Sequence, residues 1–228
     1  MQKNIKMKKK LIIWDFDGVI ADTEKLWLKN RQILMKEALG IDWDWQTINH
    51  HLRGTGDVTK RNILNNLGIV TDDDFWNKSI EMDINTMRTE GFELTEGIEE
   101  IFKLPIKQCI ATGGVRNKTA EKIKITGIEN YFTPDKVFTV DMVKNGKPEP
   151  DLFLLAAEKM GEKPENSVVI EDSVAGLTAA IKAGCLPIAF LSGDIENDKI
   201  HLKKVQELGV KYIFHTMKDI KNLITELF

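Results

Sequence analysis

The chain is poor in the residues that disulfides and soft metals require: its 228 residues include two cysteines, Cys109 and Cys185, and four histidines. The cysteines stand in apolar stretches and make no CxxC pair, which excludes a disulfide framework and fits buried thiols in a reducing compartment. His50 and His51 are adjacent, so they cannot face one ion from one helix as residues four apart would. Long apolar runs are missing as well. The run at 11–14 follows a lysine-rich start but is far shorter than the roughly 7 to 15 residues of a secretory core, and no run approaches the ~18 residues of a membrane span. A cytoplasmic protein that does not enter membranes is expected. The net charge is only −3, so no global field attracts nucleic acid or an anionic surface, and recognition has to be local.

Nucleotide-binding glycine patterns are also absent. A phosphate-cradling loop ending in Lys118-Thr119 would need glycines where Thr112 and Asn117 stand. Gly54-Thr55-Gly56 has Thr59 at the place of the third glycine of a dinucleotide fingerprint, and no strand precedes it. Counting a calcium loop from Asp15 puts Ile20 and Leu26 where Gly and Glu are required.

What is present is an ordinary globular composition, 42% hydrophobic and 29% charged, in a chain long enough for one domain with a large insertion. Leu11-Ile12-Ile13-Trp14 reads as a buried strand ending at Asp15 and Asp17, with Gly18 allowing the backbone to turn away. From Thr23 the apolar spacing becomes helical, through Leu26, Leu28, Ile33, Leu34, Ala38 and Leu39 to Gly40. Further helical segments follow at 43–52, 57–67 and 72–88, without strand alternation between them. Residues 23–91 are therefore expected to form a separate helical module, inserted directly after the first strand into a core made of 1–22 and 92–228. Trp27, Trp43, Trp45, Phe75 and Trp76 all fall in the insertion, where a small bundle needs large side chains to fill its core.

From residue 92 strands alternate with helices, as in parallel sheets. Strands are expected at 108–111, 137–140, 167–170, 186–191 and 211–214. The first of these runs into Thr112-Gly113-Gly114, and the loop Lys144 to Asp151 carries Lys147 between an approach and two prolines. The strand at 167–170 ends in Glu171-Asp172-Ser173. The pattern predicts an α/β fold, a doubly wound Rossmann-like parallel sheet, in which Asp15, Asp17, Thr112, Glu171 and Asp172 reach one sheet edge. Clustered carboxylates repel unless a cation sits among them, and all-oxygen ligation points to magnesium. Nucleophile, acid, hydroxyl and lysine beside a metal suit phosphoryl transfer.

The ordered segments Asp15-x-Asp17-Gly18-Val19-x-x-Asp22-Thr23-Glu24, Thr112, Lys147-Pro148-x-Pro150-Asp151 and Glu171-Asp172-Ser173-x-Ala175-Gly176 resemble the four motifs of the haloacid dehalogenase superfamily. The match is nearest to its beta-phosphoglucomutase-like branch and spans 11–191. The resemblance implies that Asp15 attacks phosphorus and that Asp17 protonates the leaving oxygen and then activates water. It also implies that Thr112 and the Gly113 amide hold phosphoryl oxygens while Lys147 offsets their charge. Magnesium would be bound by Asp15, the Asp17 carbonyl and Asp172, with Glu171 as a ligand or a partner of ligands. Asp17 at its position excludes the dehalogenation for which the superfamily is named.

Substrate contacts are expected from Thr23, Glu24, Gly113, Gly114, Arg116, Asn117, Lys118, Arg53 and Asp57. Mutases of this branch grip a second phosphate, and here Asp57, Val115 and Trp27 take the places of an arginine, a lysine and a histidine. Arg53, Arg116 or Lys118 could compensate, which keeps a phosphosugar mutase as the alternative to hydrolysis. The segment 112–118 is similar to the corresponding loop of 6-phosphogluconate phosphatases. The expected partner is a small phosphorylated sugar or sugar acid met by a monomer. A phospho-ligand binding protein without turnover is the third reading, and Asp17 argues against it because mere binding needs no acid.

Overall fold

The computed structural model describes residues 8–192 and 199–228, with Asp57 and Val58 described through their backbone alone. Six strands form one parallel sheet: β1 (Leu11–Trp14), β2 (Lys107–Thr112), β3 (Val137–Thr139), β4 (Ser167–Glu171), β5 (Leu186–Phe190) and β6 (Tyr212–Phe214), in the order β3-β2-β1-β4-β5-β6. β1 is central, pairing Trp14 with Ile110 on one side and with Ile170 on the other. All four of its residues are fully buried, as expected of a parallel strand covered on both faces. Ile12 and Trp14 join one core cluster, with Ile220 and Ile224, while Leu11 and Ile13 join another, with Leu152 and Ala180. That alternation follows from the two-residue period of a strand.

Helices cover both faces. α5 (Glu99–Phe102), α6 (Arg116–Thr126) and α10 (Met217–Leu227) contribute to the first cluster, and α7 (Asp151–Lys159) and α8 (Val174–Ala183) to the second. α9 (Lys199–Glu207) packs beyond β5 through Val205 and Leu202. α8 starts at Val174, where Ser173 accepts the Gly176 N–H as an N-cap. α6 begins at Arg116 and is capped by Gly127 in the left-handed conformation.

Four of the five helices between β1 and β2 form the insertion: α1 (Glu24–Leu39), α2 (Trp45–Leu52), α3 (Asp57–Asn66) and α4 (Asp73–Glu90). They share an apolar cluster of their own, built on Leu28, Met35, Ile48, Leu52, Leu64 and Phe75. No described helix is long and apolar enough to cross a membrane.

Candidate active site

The sheet order reverses between β1 and β4, and the ends of these neighbouring strands define the place where doubly wound folds bind ligands. The Asp15 amide donates to the Ile170 carbonyl at 3.0 Å, so Asp15 extends β1 beside the end of β4. Glu171 and Asp172 follow directly, and Thr112 ends β2 on the other side of β1, fully buried. Ligand oxygens of Asp15, Glu171 and Asp172 lie within 4.8 Å of one another, all in buried residues. The strand register thus assembles the acidic cluster without help from the helical insertion.

Lys147 closes one side of it. Its ammonium donates to Asp15 Oδ1 at 2.6 Å and Glu171 Oε1 at 2.7 Å. The second Glu171 oxygen accepts from the Ser173 amide and hydroxyl, at 2.7 and 2.9 Å. Glu171 is therefore saturated, whereas the buried Asp172 carboxylate accepts no hydrogen bond from any described residue. Gly18 holds a φ of +80°, and a Cβ there would come within 2.1 Å of Asp172 Oδ2. The tight turn after β1 and the Asp172 carboxylate therefore share space that only glycine leaves free.

Burial pushes the Asp15 carboxyl up to about 7, with Lys147 pulling it down and Glu171 and Asp17 adding to the rise. Burial also raises Asp172 well above the carboxylate range, and Glu171, Asp15 and Glu24 reinforce it. Burial favours the neutral form of Asp17 too, but Lys122 and Lys118 outweigh it, and the carboxyl is held below its usual range. Lys122 donates to both Asp17 oxygens, at 2.7 and 2.5 Å. Trp27 Nε1 donates at 2.9 Å and the Thr23 hydroxyl also donates. Two carboxyls separated by one residue thus sit in opposite electrostatic surroundings.

The remaining expected substrate contacts divide. Glu24, Gly113, Gly114 and Lys118 line the cavity over Asp15. Thr23 instead bonds to Asp17, and Glu24 accepts the Gly54 N–H at 3.0 Å, tying the start of α1 to the loop before α3. Lys118 is buried with its ammonium 2.5 Å from Asp83 of α4. Arg53 lines a neighbouring cavity with Asp22, Glu24 and Asn49. Arg116 and Asn117 are exposed and do not line the cavity over Asp15. The helical period explains this, since Lys118, Thr119 and Lys122 take the inner face of α6 and leave the first two residues outward. Asp57 begins α3, and its side chain lies outside the described parts of the chain.

Three participants were not legible as such. Lys122 lies two turns into α6, where a lysine reads as a solvated residue, yet it is fully buried against Asp17. Trp27, grouped in the sequence with the aromatics of the bundle core, supplies a hydrogen bond to the site. Lys60 of α3 is 3% exposed and lines the same cavity. A lysine on the apolar face of a helical pattern was the signal available for Lys60 and Lys122. The inserted helices also meet the core tightly at Gly56, where a Cβ would stand 2.8 Å from the Gly113 carbonyl oxygen. The Thr59 hydroxyl donates to the Lys147 carbonyl at 3.4 Å.

A parallel doubly wound sheet with a buried carboxylate cluster at its switch point, roofed by an insertion after β1, defines a hydrolase-like α/β protein. The residues 12–190 match the model of the haloacid dehalogenase-like hydrolases, and the chain belongs to that family. Among curated relatives, a phosphorylated carbohydrates phosphatase of Thermotoga maritima is 29% identical over 76% of this chain and 81% of its own. A fructose-1-phosphate phosphatase of Escherichia coli is 31% identical over 76% of this chain and 92% of its own. The solved structure of a Thermotoga maritima protein described as a putative beta-phosphoglucomutase superposes with a TM-score of 0.71 at 26% identity, covering 96% of this chain and 100% of its own.

Proposed function

We propose that the chain is a magnesium-dependent phosphomonoester hydrolase acting on a small phosphorylated sugar or sugar acid, with residues 23–91 as a cap domain over a core of 1–22 and 92–228. The observation that carries this reading is the convergence of the Asp15, Glu171 and Asp172 carboxylates with the Lys147 ammonium at the ends of neighbouring strands. The similarity to relatives named as phosphatases of phosphorylated carbohydrates supports it.

The donor set fits the metal. Asp15 and Asp172 are buried oxygen donors, one of them unpartnered among the described residues, and no described residue donates to the Asp17 carbonyl. Glu171, saturated by Lys147 and Ser173, acts behind these ligands. Bound there, magnesium supplies charge neutralisation at the phosphoryl oxygens.

Asp15 attacks phosphorus, its new bond forming as the bond from phosphorus to the ester oxygen breaks, and an aspartyl-phosphate results. Thr112 and the Gly113 amide hold phosphoryl oxygens, and Lys147 offsets their charge. Asp17 gives its proton to the departing oxygen and then takes one from the water that hydrolyses the intermediate. In the described state Asp17 is an ion bonded to Lys122, Thr23 and Trp27. An arriving phosphoryl anion raises its proton affinity, so loading the acid is coupled to substrate entry. A mutase would need a grip on a second phosphate, but Arg116 is exposed outside the cavity and Lys118 is paired with Asp83, which favours water as the acceptor.

Phosphate release from p-nitrophenyl phosphate and from a panel of phosphorylated metabolites tests the proposal. Turnover with magnesium, its loss on chelation, and no conversion of beta-glucose 1-phosphate to glucose 6-phosphate are expected. Absence of release from every ester would leave only a binding protein.

A further inference from the structure

Four lysines line or adjoin the catalytic cavity, and three are neutralised within the protein. Lys147 is paired with Asp15 and Glu171, Lys122 with Asp17, and Lys118 with Asp83. Lys60 is the exception. It is 3% exposed and lines the cavity over Asp15 from the inserted helix α3, and its ammonium forms no hydrogen bond or ion pair with any described residue. An ammonium that lines the cavity on a 3% exposed side chain, with no partner among the described residues, is placed to pair with an anion that arrives with the ligand.

We propose that Lys60 binds a carboxylate carried by the substrate at the end remote from its phosphate, so that the preferred substrate class is a phosphorylated hydroxy acid. The inference rests on the phosphatase reading and narrows it. The transferring phosphoryl group already has its partners on the core side, at Thr112, Gly113 and Lys147, whereas Lys60 belongs to the roof. One ammonium balances one carboxylate, while a second phosphate, with close to two negative charges at neutral pH, would leave a net charge in a buried place. A site with such a cation discriminates strongly, because an analogue ending in a neutral hydroxyl leaves the lysine unpaired again.

A matched pair of esters tests this. Gluconate 6-phosphate and glucitol 6-phosphate share six carbons and one phosphate and differ only in a carboxylate against a hydroxymethyl group at C1. The expected ratio of their kcat/KM values in the wild-type protein is at least ~10 in favour of the acid, the size of a charge-assisted contact. Lys60→Met should collapse that ratio towards one, and Lys60→Arg should restore part of it. A wild-type ratio near one, an equal loss for both esters in Lys60→Met, or a preference for glucitol 1,6-bisphosphate over the acid would each overturn the assignment. Should Lys60→Met not fold, the wild-type ratio decides alone. Calorimetric binding of the same esters to the magnesium-loaded protein separates the two readings: failure of all turnover with tenfold tighter binding of the acid sinks the phosphatase and keeps Lys60, and turnover without that preference does the reverse.

Discussion

The two halves of the site are built on different rules. In the core half the acidic groups and Thr112 stand at or just past the ends of strands: Asp15 after β1, Thr112 at the end of β2, Glu171 at the end of β4. Backbone hydrogen bonds between the strands fix where those ends fall, so the groups converge whatever the side chains around them do. In the inserted half, Trp27, Gly56 and Lys60 reach the site from α1, from the N-cap of α3 and from α3 itself, and their arrival depends on how helices lean on the core. A half whose groups are fixed by strand pairing is thus set against a half whose groups arrive by docking. If so, damage to the core half should abolish chemistry outright, and damage to the seam should weaken it by degrees.

Asp15→Asn is the sharpest test of the core half. An amide keeps the shape but is a poor nucleophile and ligand, and a loss of at least ~10³-fold in phosphate release is expected, with the melting temperature not lowered. Residual turnover within tenfold of wild type would remove Asp15 from its role. Gly56→Ala tests the seam. Its φ of −70° suits alanine, so only the new methyl group, 2.8 Å from the Gly113 carbonyl, acts. Displacing the roof by about 1 Å should lower kcat/KM by roughly 10². An unchanged kcat/KM would mean that the roof does not need this approach.

Lys122→Met removes the cation that holds Asp17 ionised, and it reads on both activity and stability. Breaking a buried pair from one side typically costs about 3–5 kcal/mol. Because the Asp17 side chain is still 22% exposed, the lower end, ~3 kcal/mol at pH 7, is expected from urea denaturation. The depressed Asp17 carboxyl contributes stability above its unfolded value and loses it as pH falls through the folded one, so the deficit of the variant should shrink in acid. A deficit that is equally large at pH 3 and pH 7 would contradict the pairing.

The same division explains what the sequence discloses. Asp15-x-Asp17-Gly18, Thr112, Lys147 and Glu171-Asp172 are readable because a strand is recognised from a short apolar run and its end is the first polar residue. The helices of the insertion are readable as well, since their apolar residues recur at helical spacing and end at glycines such as Gly40. The inward-facing charges are not. Lys60, Lys118 and Lys122 occupy a helical period that a sequence shows, but whether the face bearing them meets solvent or the cavity over Asp15 is decided by docking of segments as far apart in the chain as Asp17 and Lys122. Arg116 and Asn117 illustrate the converse, being near in sequence to the Thr112-Gly113-Gly114 loop and turned outward by the first turn of α6.

The smallest expected effect tests whether the carboxylate cluster binds a metal. The Asp15 carboxyl, pushed up to about 7 by burial and by Glu171 and Asp17 against the pull of Lys147, keeps a proton in the folded protein that the unfolded chain releases near pH 4. Its contribution to stability is therefore full below the unfolded value and is lost as pH rises through about 7. A divalent ion takes the place of that proton, and it competes best where the proton has already gone. Magnesium should accordingly raise the melting temperature more at pH 8 than at pH 5.5, by a few degrees for each ~1 kcal/mol of added stability in a chain of this size. Asp15→Asn should flatten the pH dependence by deleting the titrating ligand, while Asp172 retains part of the metal response. Calorimetric melts with and without magnesium at both pH values supply the test. An equal shift at the two values, or a larger one at pH 5.5, would show that the acidic cluster does not bind the ion through Asp15, and would turn Lys147 from a partner of the phosphoryl group into the sole counter-charge of the cluster.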